Sequence, residues 1–249
     1  GSLTRLISNE SPYLMIFEGH GIENKMNKDM PTGSDTYMNV STDTLRTVFS
    51  ALRSKGFVPV TWQEIVRWKK YGGSLPKRCY TLMFDDWRID NYMNLDLRKP
   101  FVEFGVKPGL AVITGQNGVT RSRSEEVVID NQTWTVGECF DAIIKGGWYP
   151  CSHTKDHTVL GNVNDMNLLP LLRECVYSCD KLGIYDDVLV YPTGSASSYK
   201  KYMMMVSGFA IGVKVAVNGF NCLASLDFDL TRNEIGSRKN INDILAQIV

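Results

Sequence analysis

Two consecutive acids, Asp85 and Asp86, follow the apolar run Cys79 to Phe84. Adjacent carboxylates repel each other and are costly to bury, and a cation relieves both penalties. Taken alone, the dipeptide reads as readily as a solvated loop. The second feature is His153-Thr154-Lys155-Asp156-His157. Histidines at i and i+4 put both imidazoles on one face of a helical turn, where two nitrogens can chelate a divalent ion. The chain has only three histidines, although a surface pair is the competing reading of this spacing by itself. The two features in combination are more specific. One carboxylate and two imidazoles form a facial set with open positions, suited to zinc or another first-row divalent ion. The remaining carboxylate is then a candidate general base for an attacking water.

Elements that can position these residues alternate along the chain. Leu14 to Phe17 is a short apolar run ending at Gly19-His20-Gly21, and residues 24 to 36 read as a loop. Leu45, Val48, Phe49 and Leu52 fall at helical spacing, with Gly56 as a stop. Thr61 with Glu64, and Thr135 with Glu138, form capping boxes for two further helices. Strand character is predicted at Phe57 to Val60, Cys79 to Phe84, Gly109 to Ile113, Trp148 to Cys151, Val188 to Tyr191 and Ala210 to Val215. Helices are predicted at about Asn91 to Gly105, Asn167 to Leu182 with Pro170 in its first turn, Ser198 to Val206, and from Asn242. Residues 115 to 134 are polar and read as an irregular insertion. Such alternation implies parallel strands with helical crossovers, whose functional residues gather at the carboxyl ends of strands. Asp85-Asp86, Ser152-His153 and Tyr191-Pro192 all stand at such ends.

The bulk properties restrict function more than they assign it. The 249 residues are 43% hydrophobic and 22% charged, ordinary for a globular protein read as a single domain with its core over about 12 to 235. Twenty-seven basic and 27 acidic residues cancel, which offers no electrostatic case for nucleic acid. No apolar run is long enough to span a bilayer. Gly1-Ser2 reads as a cloning remnant and no signal peptide follows. The six cysteines form no C-x-x-C pair and read as buried thiols, which leaves an oxidising compartment open.

The stretch Tyr80-Thr81-Leu82-Met83-Phe84-Asp85-Asp86, with Asp90-Asn91-Tyr92 after it, resembles the T-F-D-D-G motif of polysaccharide deacetylases, carbohydrate esterase family 4 or the NodB homology domain. His153-Thr154-Lys155-Asp156-His157 is similar to that family's H-[ST]-x-x-H motif, and Val190-Tyr191-Pro192-Thr193-Gly194 to its R-x-P-[YF]-G motif without the arginine. The resemblance implies a distorted (β/α)7 barrel and a single divalent ion, zinc first and cobalt, nickel, iron or manganese as alternatives. It implies Asp85 as general base, Asp86, His153 and His157 as metal ligands, and Thr154 as a hydrogen-bonding support. Tyr191, Pro192 and Gly194 would line a groove for an acetylated oligo- or polysaccharide. An extracytoplasmic or cell-envelope location is implied too; the oligomeric state is left open.

Three departures bear on activity. Trp87 replaces the glycine after the acid pair, where an indole can stack on a sugar or narrow the groove. Val190 replaces an arginine that orients the base, and no histidine follows His157 to supply the family's late general acid. Met15 to Ile22 resembles the Y-H-x-[IV] segment of the poly-N-acetylglucosamine deacetylase branch, which makes His20 the candidate acid. The expected activity is hydrolysis of N-acetyl, or else O-acetyl, groups on a carbohydrate. A sugar-binding barrel without turnover and a hydrolase of non-sugar amides are the alternatives.

Overall fold

The computed structural model describes residues 11–23, 38–194, 200–215, 219–236 and 240–249. Its main sheet contains β1 (Tyr13–Gly19), β2 (Val58–Pro59), β3 (Arg78–Asp85), β4 (Gly109–Val112), β5 (Tyr149–Ser152), β6 (Val188–Val190), β7 (Ile211–Val215) and β8 (Leu230–Glu234). All pairings in it are parallel. β1 pairs with β8 on one side and with β3 on the other, which closes a ring of seven strands, the expected (β/α)7 barrel. β3 pairs with β1 along its length; its other edge meets β2 at Cys79 and Tyr80, and β4 from Met83 onward.

The helices are α1 (Thr42–Ser54), α2 (Trp62–Lys70), α3 (Asp90–Met93), α4 (Leu95–Phe104), α5 (Val136–Lys145), α6 (Asp165–Leu182), α7 (Lys201–Ser207) and α8 (Ile241–Ala246). Both capping boxes form, with Thr61 and Glu64 opening α2 and Thr135 and Glu138 opening α5. The stretch predicted as one helix over Asn91 to Gly105 is two. Asn94 breaks it because its side chain accepts from the Asp96 and Leu97 amides and restarts the helix as an N-cap. α6 starts earlier than predicted, under an Asn164 cap, so Pro170 lies in its second turn rather than its first. The insertion is ordered, not irregular: Gly115–Gln116 pairs with Val119–Thr120, and Glu126–Ile129 with Gln132–Thr135. The loop predicted over residues 24 to 36 and the start of the helix predicted at Ser198 lie outside the described residues.

Strand alternation divides the core. Leu14, Ile16, Cys79, Met83, Cys151, Val188, Val190, Val213 and Leu230 form one buried cluster with Trp62, Ile65 and Trp68 of α2. The intervening Met15, Phe17, Tyr80, Leu82, Phe84, Leu110 and Val112 pack outward against α1, α4 and α5. Five cysteines are buried, Cys222 is partly so, and all six are free. Among the described residues no helix is long and apolar enough to cross a membrane.

Candidate metal and acid-base centre

Extending the inward face by one alternate position, beyond Ile16, Met83, Cys151 and Leu230, reaches Glu18, Asp85, His153 and Arg232 at the carboxyl mouth of the barrel. All four are buried. The hydrophobic filling thus gives way to a charged layer at the end where barrels of this kind carry their chemistry.

Asp86, one residue past β3, turns away from Asp85. Its φ of 76° lies in the left-handed region. Asp86 Oδ1 is 3.7 Å from His153 Nε2 and 3.7 Å from His157 Nε2. One donor atom from each of the three lies within 4.8 Å of the others. Metal–ligand bonds of about 2.0–2.2 Å to nitrogen and carboxylate oxygen require donors at roughly such separations, so this set fits a divalent ion. The ring of His153 is prepared for that role. Its Nδ1 is 2.9 Å from the Val190 carbonyl, which accepts the ring hydrogen and leaves the Nε2 lone pair facing Asp86. Burial pushes the His153 pKa down, Asp85 and the Val190 carbonyl oppose it, and the net shift is downward, in the direction of the neutral ring that a ligand requires.

The loop from His153 to His157 is not the helical turn that its spacing suggests. It is irregular, with Thr154 at φ 63° and His157 at φ 55°. These left-handed residues bring the two rings to 4.9 Å centroid separation by a tight loop instead of an i, i+4 face. A β-branched threonine at positive φ is strained, and such strain persists only where neighbours over-determine it. Here they do: Thr154 Oγ1 accepts from the Thr158 amide at 2.9 Å, the Thr154 amide donates to Ser152 Oγ at 3.1 Å, and the Thr114 amide donates to the Thr154 carbonyl at 3.2 Å. The insertion adds a further hold, with the Gly115 amide donating to the Lys155 carbonyl at 2.7 Å. Thr154→Val keeps the side-chain shape but orphans the Thr158 amide; a loss of about 1–3 kcal/mol of folding stability is expected, measured by chemical denaturation.

Asp85 is engaged differently. Arg232 Nη1 donates to its Oδ1 at 2.5 Å and Nη2 to its Oδ2 at 3.0 Å, a bidentate pair in which the arginine is 0% exposed. Burial would raise the Asp85 pKa, but Arg232, helped by His153 and His20, outweighs it and holds the carboxyl below the usual carboxylate range. Asp85 also belongs to a second donor group with Glu18 and His20, but both of its oxygens are occupied by a resident cation. Arg232 therefore stands where the arginine absent at Val190 was expected to act, reaching Asp85 from β8. Sequence reading missed it because β8, Leu-Thr-Arg-Asn-Glu, has no hydrophobic alternation: its inward positions after Leu230 are polar.

His20 lies at the same mouth, its Nε2 3.8 Å from Asp86 Oδ2 and its Nδ1 3.4 Å from Glu18 Oε1. Two asparagines hold its loop. Asn91 Nδ2 donates to the His20 carbonyl at 2.8 Å and Asn91 Oδ1 accepts from the Ile22 amide at 3.2 Å, while Asn39 Oδ1 accepts from the Gly21 amide at 3.1 Å. A Cβ at Gly21 would sit 2.5 Å from Asn39 Oδ1, so a larger residue there would push aside the side chain that accepts from the Gly21 amide.

The remaining expected residues divide. Trp87 is partly exposed, with its ring edge-on to Phe140 and one face covered by the Arg121 guanidinium 3.9 Å from the ring centroid. Pro192 and Gly194 are buried in a single 3-10 turn closed by a 2.9 Å bond from the Gly194 amide to the Tyr191 carbonyl. The Tyr191 ring does not line a groove. Alternation turns Val190 inward and Tyr191 outward, so the ring is 1% exposed among Leu168, Leu172, Met204 and Phe209, and its hydroxyl donates to the Phe228 carbonyl at 2.8 Å.

No family model matches the sequence, and no curated protein matches it. Solved structures do. The deacetylase PplD of Streptococcus pyogenes, determined in complex with acetate, gives a TM-score of 0.72 at 16% identity, covering 96% of this chain and 100% of that one. The de-N-acetylase of Aggregatibacter actinomycetemcomitans gives 0.72 at 15% identity, over 94% of this chain and 99% of that one. BC0361, a polysaccharide deacetylase from Bacillus cereus, gives 0.67 at 13% identity, over 96% and 70%. Identity this low speaks for architecture, and this chain has the barrel fold of the polysaccharide deacetylases.

Proposed function

We propose that this protein is a metal-dependent hydrolase that removes acetyl groups, N-acetyl in the first instance, from a carbohydrate. The observation that carries the reading is the grouping of Asp86, His153 and His157 around one point, with Asp85, 3.8 Å from His153 Nε2, bound through both oxygens by Arg232. Two carboxylates in adjacent positions thus have different partners and different tasks.

Asp86, His153 and His157 would hold the ion, which when bound supplies Lewis acidity for the acetyl carbonyl. Asp85 takes a proton from the water that attacks the carbonyl carbon. Arg232 keeps that carboxylate ionised and fixes its plane. His20 delivers a proton from Nε2 to the nitrogen as the C–N bond breaks, so that an amine departs and acetate remains. Trp87, with Pro192 and Gly194 beyond β6, would border the sugar. The absent arginine at Val190 and the absent late histidine motivate a second reading, a barrel that binds sugar without hydrolysing it; Arg232 beside Asp85 and His20 near Asp86 favour the hydrolase over it.

Trp87→Ala is expected to raise KM for an oligosaccharide about tenfold with little change in kcat, the cost of one lost aromatic contact; steady-state kinetics on a chitin-derived tetramer measure it. The function itself is tested by acetate release from N-acetylated and O-acetylated oligosaccharides with zinc or cobalt supplied. Release that is lost on chelation and restored by metal is the expected result. Sugar binding without acetate under all metal conditions would overturn the hydrolase.

A further inference from the structure

Two of the three proposed ligands stand on loose supports. His153 follows β5 directly, its side chain is 2% exposed, and its ring is bonded to Val190. Asp86 and His157 lie beyond strand ends at positive φ, with side chains 38% and 41% exposed. Their loops follow β3 and β5, which are not neighbours, since β4 lies between them. The insertion touches both loops. Next to Asp86 is Trp87, whose ring lies edge-on to Phe140 of α5 and under the Arg121 guanidinium, 3.9 Å from the ring centroid. Arg121 is itself fixed. Its side chain is 13% exposed, its Nη2 donates to Gln116 Oε1 at 3.1 Å and lies 3.2 Å from Glu125 Oε1, and its amide donates to the Thr114 carbonyl at 2.9 Å. On its other flank the same segment meets the loop from His153 to His157. The Gly115 amide bonds the Lys155 carbonyl, the Gly118 amide donates to Asp156 Oδ1 at 3.3 Å, and a Cβ at Gly115 would sit 2.8 Å from that carbonyl.

We propose that the insertion braces the metal site and that Arg121 is the positioning residue of the brace. Stacked on Trp87, Arg121 fixes the backbone that presents Asp86, while the Gly115 and Gly118 amides fix the loop that presents His157. The two least supported ligands thereby share one scaffold. Tryptophan is the best aromatic face for a cation, and here it is joined to a ligand by a single peptide unit. Trp87 in place of the glycine and the ordered insertion are parts of one device. The inference rests on the reading of Asp86, His153 and His157 as ligands. Contacts that orient a ligand without touching the ion act on metal affinity. Saturating zinc refills a loosened site, so loss of Arg121 is read in the zinc dissociation constant before it is read in kcat.

The test measures the zinc dissociation constant by competition with a chromophoric chelator. The samples are native protein, Arg121→Ala, Trp87→Ala, the double variant and His157→Ala, with Arg46→Ala, which breaks the exposed pair with Glu103, as control. Arg121→Ala is expected to raise the constant about tenfold, the low end of what a lost supporting contact costs a metal site. It should also alter the visible absorption of the cobalt-loaded protein, which reports the geometry of the ligand set. The double variant is expected to match Trp87→Ala alone, because Arg121 acts through the indole; losses that add overturn that route. An equal loss in Arg46→Ala makes the effect one of general stability and overturns the brace. Affinity unchanged in Arg121→Ala but lowered in His157→Ala also overturns the brace and leaves the metal site standing. Zinc held equally by all variants, His157→Ala included, removes the ligand reading on which the inference rests. If Arg121→Ala does not fold, Arg121→Lys decides, since it keeps the charge but neither the flat face nor the forked donors: weakened zinc binding at native stability supports the brace, and native affinity overturns it.

Discussion

Asp85→Asn is expected to lower kcat for acetate release by roughly 10²- to 10⁴-fold, the contribution of a positioned general base, while the metal content of the purified protein stays unchanged. The asparagine is isosteric, and Asp86, His153 and His157 do not depend on it for their approach to one another. KM should move little, because the group acts on water in the reaction and not on the bound sugar. Steady-state kinetics with metal analysis of the same sample check both halves. Full activity in the variant would exclude Asp85 as the base. Loss of the ion alongside loss of activity would make Asp85 a ligand and undo the division of labour between the two acids.

Arg232→Met is the second large effect, and it reaches stability as well as rate. The guanidinium is 0% exposed and makes both of its short contacts to Asp85. Removing one partner of a buried pair leaves the other charge uncompensated, typically at a cost of about 3–5 kcal/mol. The methionine fills similar volume, so most of that loss comes from the orphaned carboxylate and not from a cavity. The direction with pH follows from Asp85. Its pKa lies below the usual range because Arg232 outweighs burial. Without Arg232 burial prevails, the pKa rises, and the base is ionised only at higher pH. The acid limb of kcat/KM therefore shifts upward in the variant, and part of the lost rate returns as pH is raised. Urea denaturation and a pH–rate profile measure the two consequences. A variant of native stability with an unmoved acid limb would show that Arg232 does not control Asp85.

The resident cation at Asp85 also accounts for a departure that otherwise counts against catalysis. Val190 occupies the expected arginine position and faces inward, but its contribution is its carbonyl, which orients His153. The arginine arrives two strands further along the ring, from β8. Seen in the sequence, the valine is a missing arginine; in the barrel, an arginine reaches Asp85 from β8 and the Val190 carbonyl holds the His153 ring.

Local patterns were sufficient for much of this molecule. The apolar spacing of α1, the capping boxes of α2 and α5, the strands ending at Asp85 and before His153, and the candidate donors Asp86, His153 and His157 are all written in short windows of residues, because helical and strand periodicity and capping are local physics. The boundaries that misled were also local, but depended on side chains choosing the backbone over solvent, as Asn94 does between α3 and α4. What only the tertiary structure decided was partnership. Asp85 and Arg232 are 147 residues apart, and β8 carries no hydrophobic signature precursor to mark it, since its inward side chains serve the charged mouth instead of the core. Whether Tyr191 faced groove or core, and whether His153 and His157 met by a helical turn or a strained loop, depended likewise on strand register and on hydrogen bonds from neighbouring segments. Periodicity determines which face of an element is apolar; closure of the barrel determines which polar groups then meet, and the chemistry of this site resides in those meetings.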